Sequence, residues 1–202
     1  MTTTGLTLTE VAIAIAAARA GAVVVTGPGA IAGTLFSLAD EPATIYNMEL
    51  AYATSVACGI ALQRPEEAVI SVEGDGSLLA GIGVLATIAR YRPANLIVLC
   101  LVNGIYGTGD NSVVTQTGLG ADYGAVAIGL AWPADHVWRA ADPGSLAAAL
   151  TTSRGSPGPW LILATLDPDA HPRSAGRTRP GIDVVEGGVL TRRELTRRAA
   201  AR

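Results

Sequence analysis

The stretch LIVLCLV, residues 96–102, has no polar side chain, yet it is too short to cross a membrane. Bounded by Asn95 and by Asn103-Gly104, it reads as a strand buried on both faces, which requires a parallel sheet with helices above and below. Shorter apolar, β-branched runs at Ala22–Thr26, Ala68–Glu73 and Trp160–Leu166 read as companion strands, with Ala43–Tyr46 and His136–Arg139 as minor ones. Between them the pattern turns helical: Thr7–Ala20, capped by Thr7 or Thr9, then Ile31–Leu38, Glu49–Gln63, Leu78–Tyr91, Asp122–Leu130 and Pro143–Thr152. Alternating strands and helices predict an α/β fold, a three-layer α/β/α arrangement around a mainly parallel sheet. Residues 103–121 read as loop. Residues 1–166 are expected to form the domain. Residues 167–202 are expected to form an arm, rich in proline, glycine and charge up to Gly188, that ends in a short basic helix, Thr191–Ala201.

The chain has 202 residues, 50% of them apolar and 15% charged, enough for one sizeable core and short of two comfortable domains. No basic segment precedes an apolar stretch at the N-terminus, so the expectation is a cytoplasmic protein with neither a secretory signal nor a membrane span. Cys58 and Cys100 lie in apolar surroundings and read as buried small hydrophobes in a reducing compartment. All 14 basic residues are arginine. Without lysine there is no Walker-type phosphate loop and no Schiff-base or pyridoxal chemistry in this chain. The net charge of −3 argues against general nucleic-acid binding. Eight arginines fall between Arg173 and Arg202, as a solvated helix face or a partner contact.

Parallel sheets bind ligands beyond the carboxyl ends of their strands, and three glycine-bearing loops leave such ends: TGPGAIAG (26–33), EGDGSL (73–78) and VNGIYGTG (102–109). The first is a weak dinucleotide fingerprint. Pro28 removes a backbone donor, and Glu49 opens a helix where a ribose-binding acid would end a strand. The other two make the stronger pair. The 26 residues Ser77–Val102 between Gly76 and Asn103 hold one helix and one strand, so Asp75 and Asn103 emerge at the same sheet edge on adjacent or nearly adjacent strands. A carboxylate and an amide oxygen, with a backbone carbonyl, phosphate oxygens and water, suit magnesium.

The segment GDGSLLAGIGVLATIARYRPANLIVLCLVNGIYG resembles the thiamine diphosphate signature, GDG followed after 24 to 27 residues by asparagine. GDGSLL, LATIARYRPANL and NGIYGTG resemble the sulfopyruvate and phosphonopyruvate decarboxylases in particular. The resemblance runs from about Thr26 to Leu130 and implies the thiamine diphosphate-binding fold. It also implies that Asp75, Asn103 and the carbonyl of Ile105 bind Mg²⁺. Gly74, Gly76 and Ser77 would line the diphosphate, Tyr106 and Gly107 would close over it, and Gly27 to Gly29 would face the same groups. Met48, in YNMEL, would be the apolar wedge that bends the cofactor, or else ordinary core filler.

Glu49 stands where the family usually has glycine, leaving it a helix N-terminal charge, a substrate or proton-transfer group, or a contact across a dimer. Val102 replaces the first of the paired residues before the metal asparagine and affects no expected ligand. In this superfamily the glutamate that activates the cofactor lies on a separate pyrimidine-binding domain, and this chain has length for the diphosphate-binding domain alone. The resemblance therefore implies the β-type subunit of a heteromer, plausibly a dimer of heterodimers. Its partner would supply that glutamate, and the enzyme would decarboxylate a small 2-oxoacid. Carboligation of the acyloin or acetolactate type is the alternative chemistry, and a non-catalytic, cofactor-binding subunit the alternative class. In the loop after Asn103, residues Thr108, Asp110, Asn111 and Thr115 are candidates to face substrate. No arginine lies between 93 and 138, so either the partner or the tail supplies a cation for an anionic substrate, or the substrate is less anionic than sulfopyruvate. His171 is a weaker candidate there.

Overall fold

In the computed structural model, which describes residues 5–107, 113–167 and 179–202, the apolar runs become strands. In chain order these are β1 (Val23–Thr26), β2 (Thr44–Ile45), β3 (Val69–Gly74), β4 (Leu96–Val102), β5 (Ile105–Tyr106), β6 (Val113–Val114), β7 (Val137–Ala140) and β8 (Trp160–Thr165). Six of them form one sheet in the order β2-β1-β3-β4-β8-β7, every pair parallel. β5 and β6 make a separate antiparallel pair. The helices are α1 (Leu8–Arg19), α2 (Ala30–Ala39), α3 (Ala53–Gln63), α4 (Asp75–Ala80), α5 (Val84–Tyr91), α6 (Tyr123–Gly129), α7 (Pro143–Gly155) and α8 (Val184–Ala200).

The sheet is covered on both faces, as β4 requires. Six of its seven residues are buried. Leu96, Val98 and Cys100 join Ala57, Leu85, Ile88 and Trp132 on the α3–α5–α6 side. Ile97, Leu99 and Leu101 join Val11, Ile15, Leu35 and Leu150 on the α1–α2–α7 side. Each fully buried aliphatic side chain contributes about 1.5–3 kcal/mol, so this strand anchors both layers. α1 starts on a capping box in which Thr7 and Glu10 satisfy each other's backbone N–H groups.

Four segments differ from the sequence expectation. The helix expected over Leu78–Tyr91 breaks into α4 and α5 around a turn at residues 81–83, where Gly81 packs so closely that a Cβ would lie 2.6 Å from the carbonyl oxygen of Ala51. Residues 49–52 form a turn, with Ala51 at φ 76°, so α3 begins at Ala53 rather than Glu49. α8 begins at Val184, capped by Asp183, which accepts from the Glu186 N–H at 2.8 Å. It reaches through Gly187-Gly188 because Gly187 lies against β2, where a Cβ would come within 3.3 Å of the Thr44 carbonyl. Finally, residues 103–121, expected as loop, contain β5, β6 and a 3₁₀ turn at Thr117–Leu119. Among the described residues no helix is long and apolar enough to cross a membrane.

Candidate functional site

β3 and β4 are neighbours in register, Gly74 opposite Leu101, so Asp75 and Asn103 leave the same edge side by side. Asp75 opens α4 and is 1% exposed. Its Oδ1 accepts from the Gly76 N–H at 2.9 Å. Its Oδ2 accepts from the Gly104 N–H at 3.1 Å, from the Thr115 hydroxyl at 2.8 Å and from the Thr117 hydroxyl. Gly104, at φ +74°, turns the chain so that its amide reaches this carboxylate. Asn103 Oδ1 accepts from the Ile105 N–H at 3.1 Å, which tightens the same turn. Among the described residues no arginine pairs with Asp75.

A cavity of about 190 Å³ lies over this edge. Gly74, Asp75, Gly76 and Ser77 line it from the β3–α4 turn; Asn103, Ile105, Tyr106 and Gly107 line it from the end of β4; Gly29 lines it from the loop after β1. Gly76 is obligatory, because a Cβ there would run into the Tyr106 ring. Gly27 is placed elsewhere: it presses on Glu73, whose Cγ a Cβ would meet at 3.2 Å. Met48 is half-buried, packs on the core beside β1 and donates its N–H to the Thr26 carbonyl at 2.9 Å. Glu49 is exposed and lines a second cavity of about 750 Å³ with Asn47, Arg179, Asp183 and Glu186. Gly29 lines both cavities, so they adjoin. The structure thus brings together nine of the sequence-selected residues around the first cavity, while Gly27, Met48 and Glu49 are not among its lining residues.

One residue of the site escaped the sequence reading. Glu73 is fully buried at the end of β3. Its Oε1 accepts from the Ser77 hydroxyl at 2.6 Å; its Oε2 accepts from the Thr54 N–H at 3.2 Å and the Thr54 hydroxyl at 2.6 Å. α3 has no cap from its own N-cap residue, so Glu73 caps it from across the sheet. Ser77 also accepts from the Ala51 N–H at 3.1 Å, so its hydroxyl is committed to this network. An acid inside the run VISVEG was the available signal. The Tyr123 hydroxyl is buried without a hydrogen-bond partner; burial and, after it, the Asp75 charge push its pKa up.

Other candidates fall away from the site. Thr115 is buried with its hydroxyl on Asp75, so it does not face substrate, while Thr108, Asp110, Asn111 and His171 lie outside the described residues. His136 stacks on Trp160 at 4.1 Å. Cys58 and Cys100 are free and buried. Burial, with Asp75 and Glu73 nearby, holds the Cys100 thiol well above its usual range, so it stays protonated and unreactive.

The donor set fits a hard divalent cation. Asp75 is a buried carboxylate satisfied by neutral donors alone, which leaves its charge uncompensated. Asn103 Oδ1 and the Ile105 carbonyl are oxygen ligands of the right kind beside it. Among the described residues no group of three or more His, Cys, Asp or Glu side chains is placed to hold a metal ion. A cation site here therefore rests on one carboxylate, one amide and one carbonyl.

Residues 39–164 match the family described as thiamine pyrophosphate enzyme, C-terminal TPP binding domain; the chain belongs to that family. It is 33% identical over 149 residues to a phosphonopyruvate decarboxylase of Streptomyces viridochromogenes, covering 73% of this chain and 36% of that protein. It is 39% identical over 75 residues to the sulfopyruvate decarboxylase subunit beta of Methanothermobacter thermautotrophicus, 37% of this chain and 40% of that one. The fold matches a thiamine diphosphate-dependent 4-hydroxybenzoylformate decarboxylase of Rhodococcus jostii RHA1 with TM-score 0.68 at 21% identity, covering 81% of this chain and 33% of the other. The chain spans about a third of the length of the decarboxylases it matches over most of its own length.

Proposed function

We propose that this chain is the diphosphate-binding subunit of a heteromeric thiamine diphosphate- and Mg²⁺-dependent 2-oxoacid decarboxylase. One observation carries the reading: Asp75 and Asn103 leave adjacent strand ends into a single cavity whose glycine turn lies under the Tyr106 ring. Asp75, Asn103 and the Ile105 carbonyl would hold the cation. Gly74, Gly76 and Ser77 would line the diphosphate, with Tyr106 and Gly107 enclosing it. Bound there, the cofactor supplies a carbon nucleophile and an electron sink for decarboxylation. Met48, half-buried and packed on the core, would be the wedge. Glu49 and Arg179 share the adjoining cavity and are available to the substrate, Glu49 for proton transfer and Arg179 for an anionic group. The pyrimidine-binding partner supplies the activating glutamate. The relatives named as beta subunits support that division.

The test is a thermal shift of the purified chain with thiamine diphosphate and Mg²⁺, followed by turnover of a 2-oxoacid with and without a pyrimidine-domain partner. The expected result is a shift from the chain alone and turnover only with the partner. A shift without turnover in either case would assign a non-catalytic subunit, and no shift would remove the cofactor reading.

A further inference from the structure

Thr115 and Thr117 reach Asp75 from the segment after β6, some 40 positions along the chain. Their placement is built rather than incidental. The Thr115 N–H donates to the Gly104 carbonyl at 2.9 Å. Gly118 lies so close to that carbonyl that a Cβ would collide with it. The two hydroxyls lie 2.9 Å apart, and Thr115 is 1% exposed. Each hydroxyl has one proton, so either both donate to Asp75 or one relays to the carboxylate through the other.

A carboxylate oxygen has two lone pairs. Oδ2 faces three donors: the Gly104 amide and both threonine hydroxyls. Among the described residues Oδ1 accepts only the Gly76 N–H, which leaves it a lone pair for a cation. We propose that Thr115 and Thr117 are positioning residues for the cation site: their hydroxyls fix the rotation of the Asp75 carboxylate so that Oδ1 is presented to Mg²⁺. The inference rests on the proposed cofactor site. It also couples two events, because the hydroxyls reach Asp75 only while residues 113–118 are docked on Gly104. Cation binding and docking of that segment must then favour each other by the same factor.

The test measures Mg²⁺ affinity of the full chain at saturating thiamine diphosphate, by calorimetry, for wild type, T117V, the double variant T115V/T117V and the hydroxyl-retaining T115S/T117S. The valines should weaken Mg²⁺ binding about 10–100-fold, the usual loss when a partner orienting a metal ligand is removed. The serine pair should stay within about 3-fold of wild type. Amide exchange over residues 113–118 should slow on Mg²⁺ addition in wild type and not in the double variant. Equal Mg²⁺ affinity in wild type and the valine variants overturns the proposal, as does equal slowing of exchange. Should the double variant fail to fold, T117V at the half-buried position decides alone. A wild-type chain that binds no Mg²⁺ with thiamine diphosphate overturns the site reading itself.

Discussion

Acids occupy the carboxyl edge of the sheet in two contrasting ways. At the end of β3, Glu73 and Asp75 are buried and, among the described residues, every hydrogen bond to them comes from a neutral amide or hydroxyl. Beyond β1 and β2, Glu49, Asp183 and Glu186 stand exposed around a wide cavity with Arg179. A buried carboxylate must be satisfied within the fold, because water is absent and each missing donor costs about 1–3 kcal/mol. An exposed one is solvated and remains available. Among the described residues the first region is supplied by neutral hydrogen-bond donors and no arginine pairs with Asp75, so a cation at the remaining Oδ1 lone pair would bring the missing charge. The second is open in geometry, as a surface that meets substrate or partner would be.

Removing Asp75 tests the first region most severely. Asp75→Asn keeps the shape and deletes the charge, so the Mg²⁺-dependent thermal shift with thiamine diphosphate should disappear, with affinity down at least about 100-fold. A retained shift would mean that the cation is held elsewhere.

Glu73→Ala should damage the fold more than the chemistry. It strands the Thr54 amide and the Ser77 hydroxyl and opens a cavity under Gly27, at a cost of about 2–4 kcal/mol in chemical denaturation. A loss below about 0.5 kcal/mol would show that the network tying α3 to the β3–α4 turn carries little.

Glu49→Gln probes the open region. Stability and cofactor binding should stay at wild-type level while turnover with the partner falls about 10- to 100-fold. Unchanged turnover sinks the catalytic role and leaves Glu49 as a surface charge.

The smallest effect belongs to Glu194, far from both regions, whose carboxyl is brought down from 4.5 to about 2 by hydrogen bonds from Arg197 and Arg198. A depressed folded-state value means that the ion pair stabilises above about pH 4.5 and is lost as pH falls toward 2. The stability gap between wild type and Glu194→Gln should be small at pH 7 and close on acidification. A gap that persists at pH 2 would contradict this.

Much of this was readable from residue order. The strand 96–102 demanded two covered faces, and the spacing of Asp75 from Asn103 placed both at one edge. The break at Gly81 and the turn at 49–52 were harder. The two meet at one close approach, Gly81 against the Ala51 carbonyl, which no local pattern records. Gly187-Gly188 fell within the arm, ahead of the expected helix, and a glycine pair disfavours helix, yet α8 runs through it packed on β2.

What the sequence determined by itself was periodic or local: the alternation of strands and helices, the glycine turns at strand ends, the acid and amide that follow two of them. These depend on backbone geometry within a few residues, so order alone suffices. What only the tertiary structure decided was which remote groups satisfy the buried carboxylates. Thr54 lies 19 positions from Glu73, and Thr115 and Thr117 lie 40 and 42 from Asp75. Such partners are chosen by where the chain returns in space, and only the packed sheet edge brings them within hydrogen-bond reach.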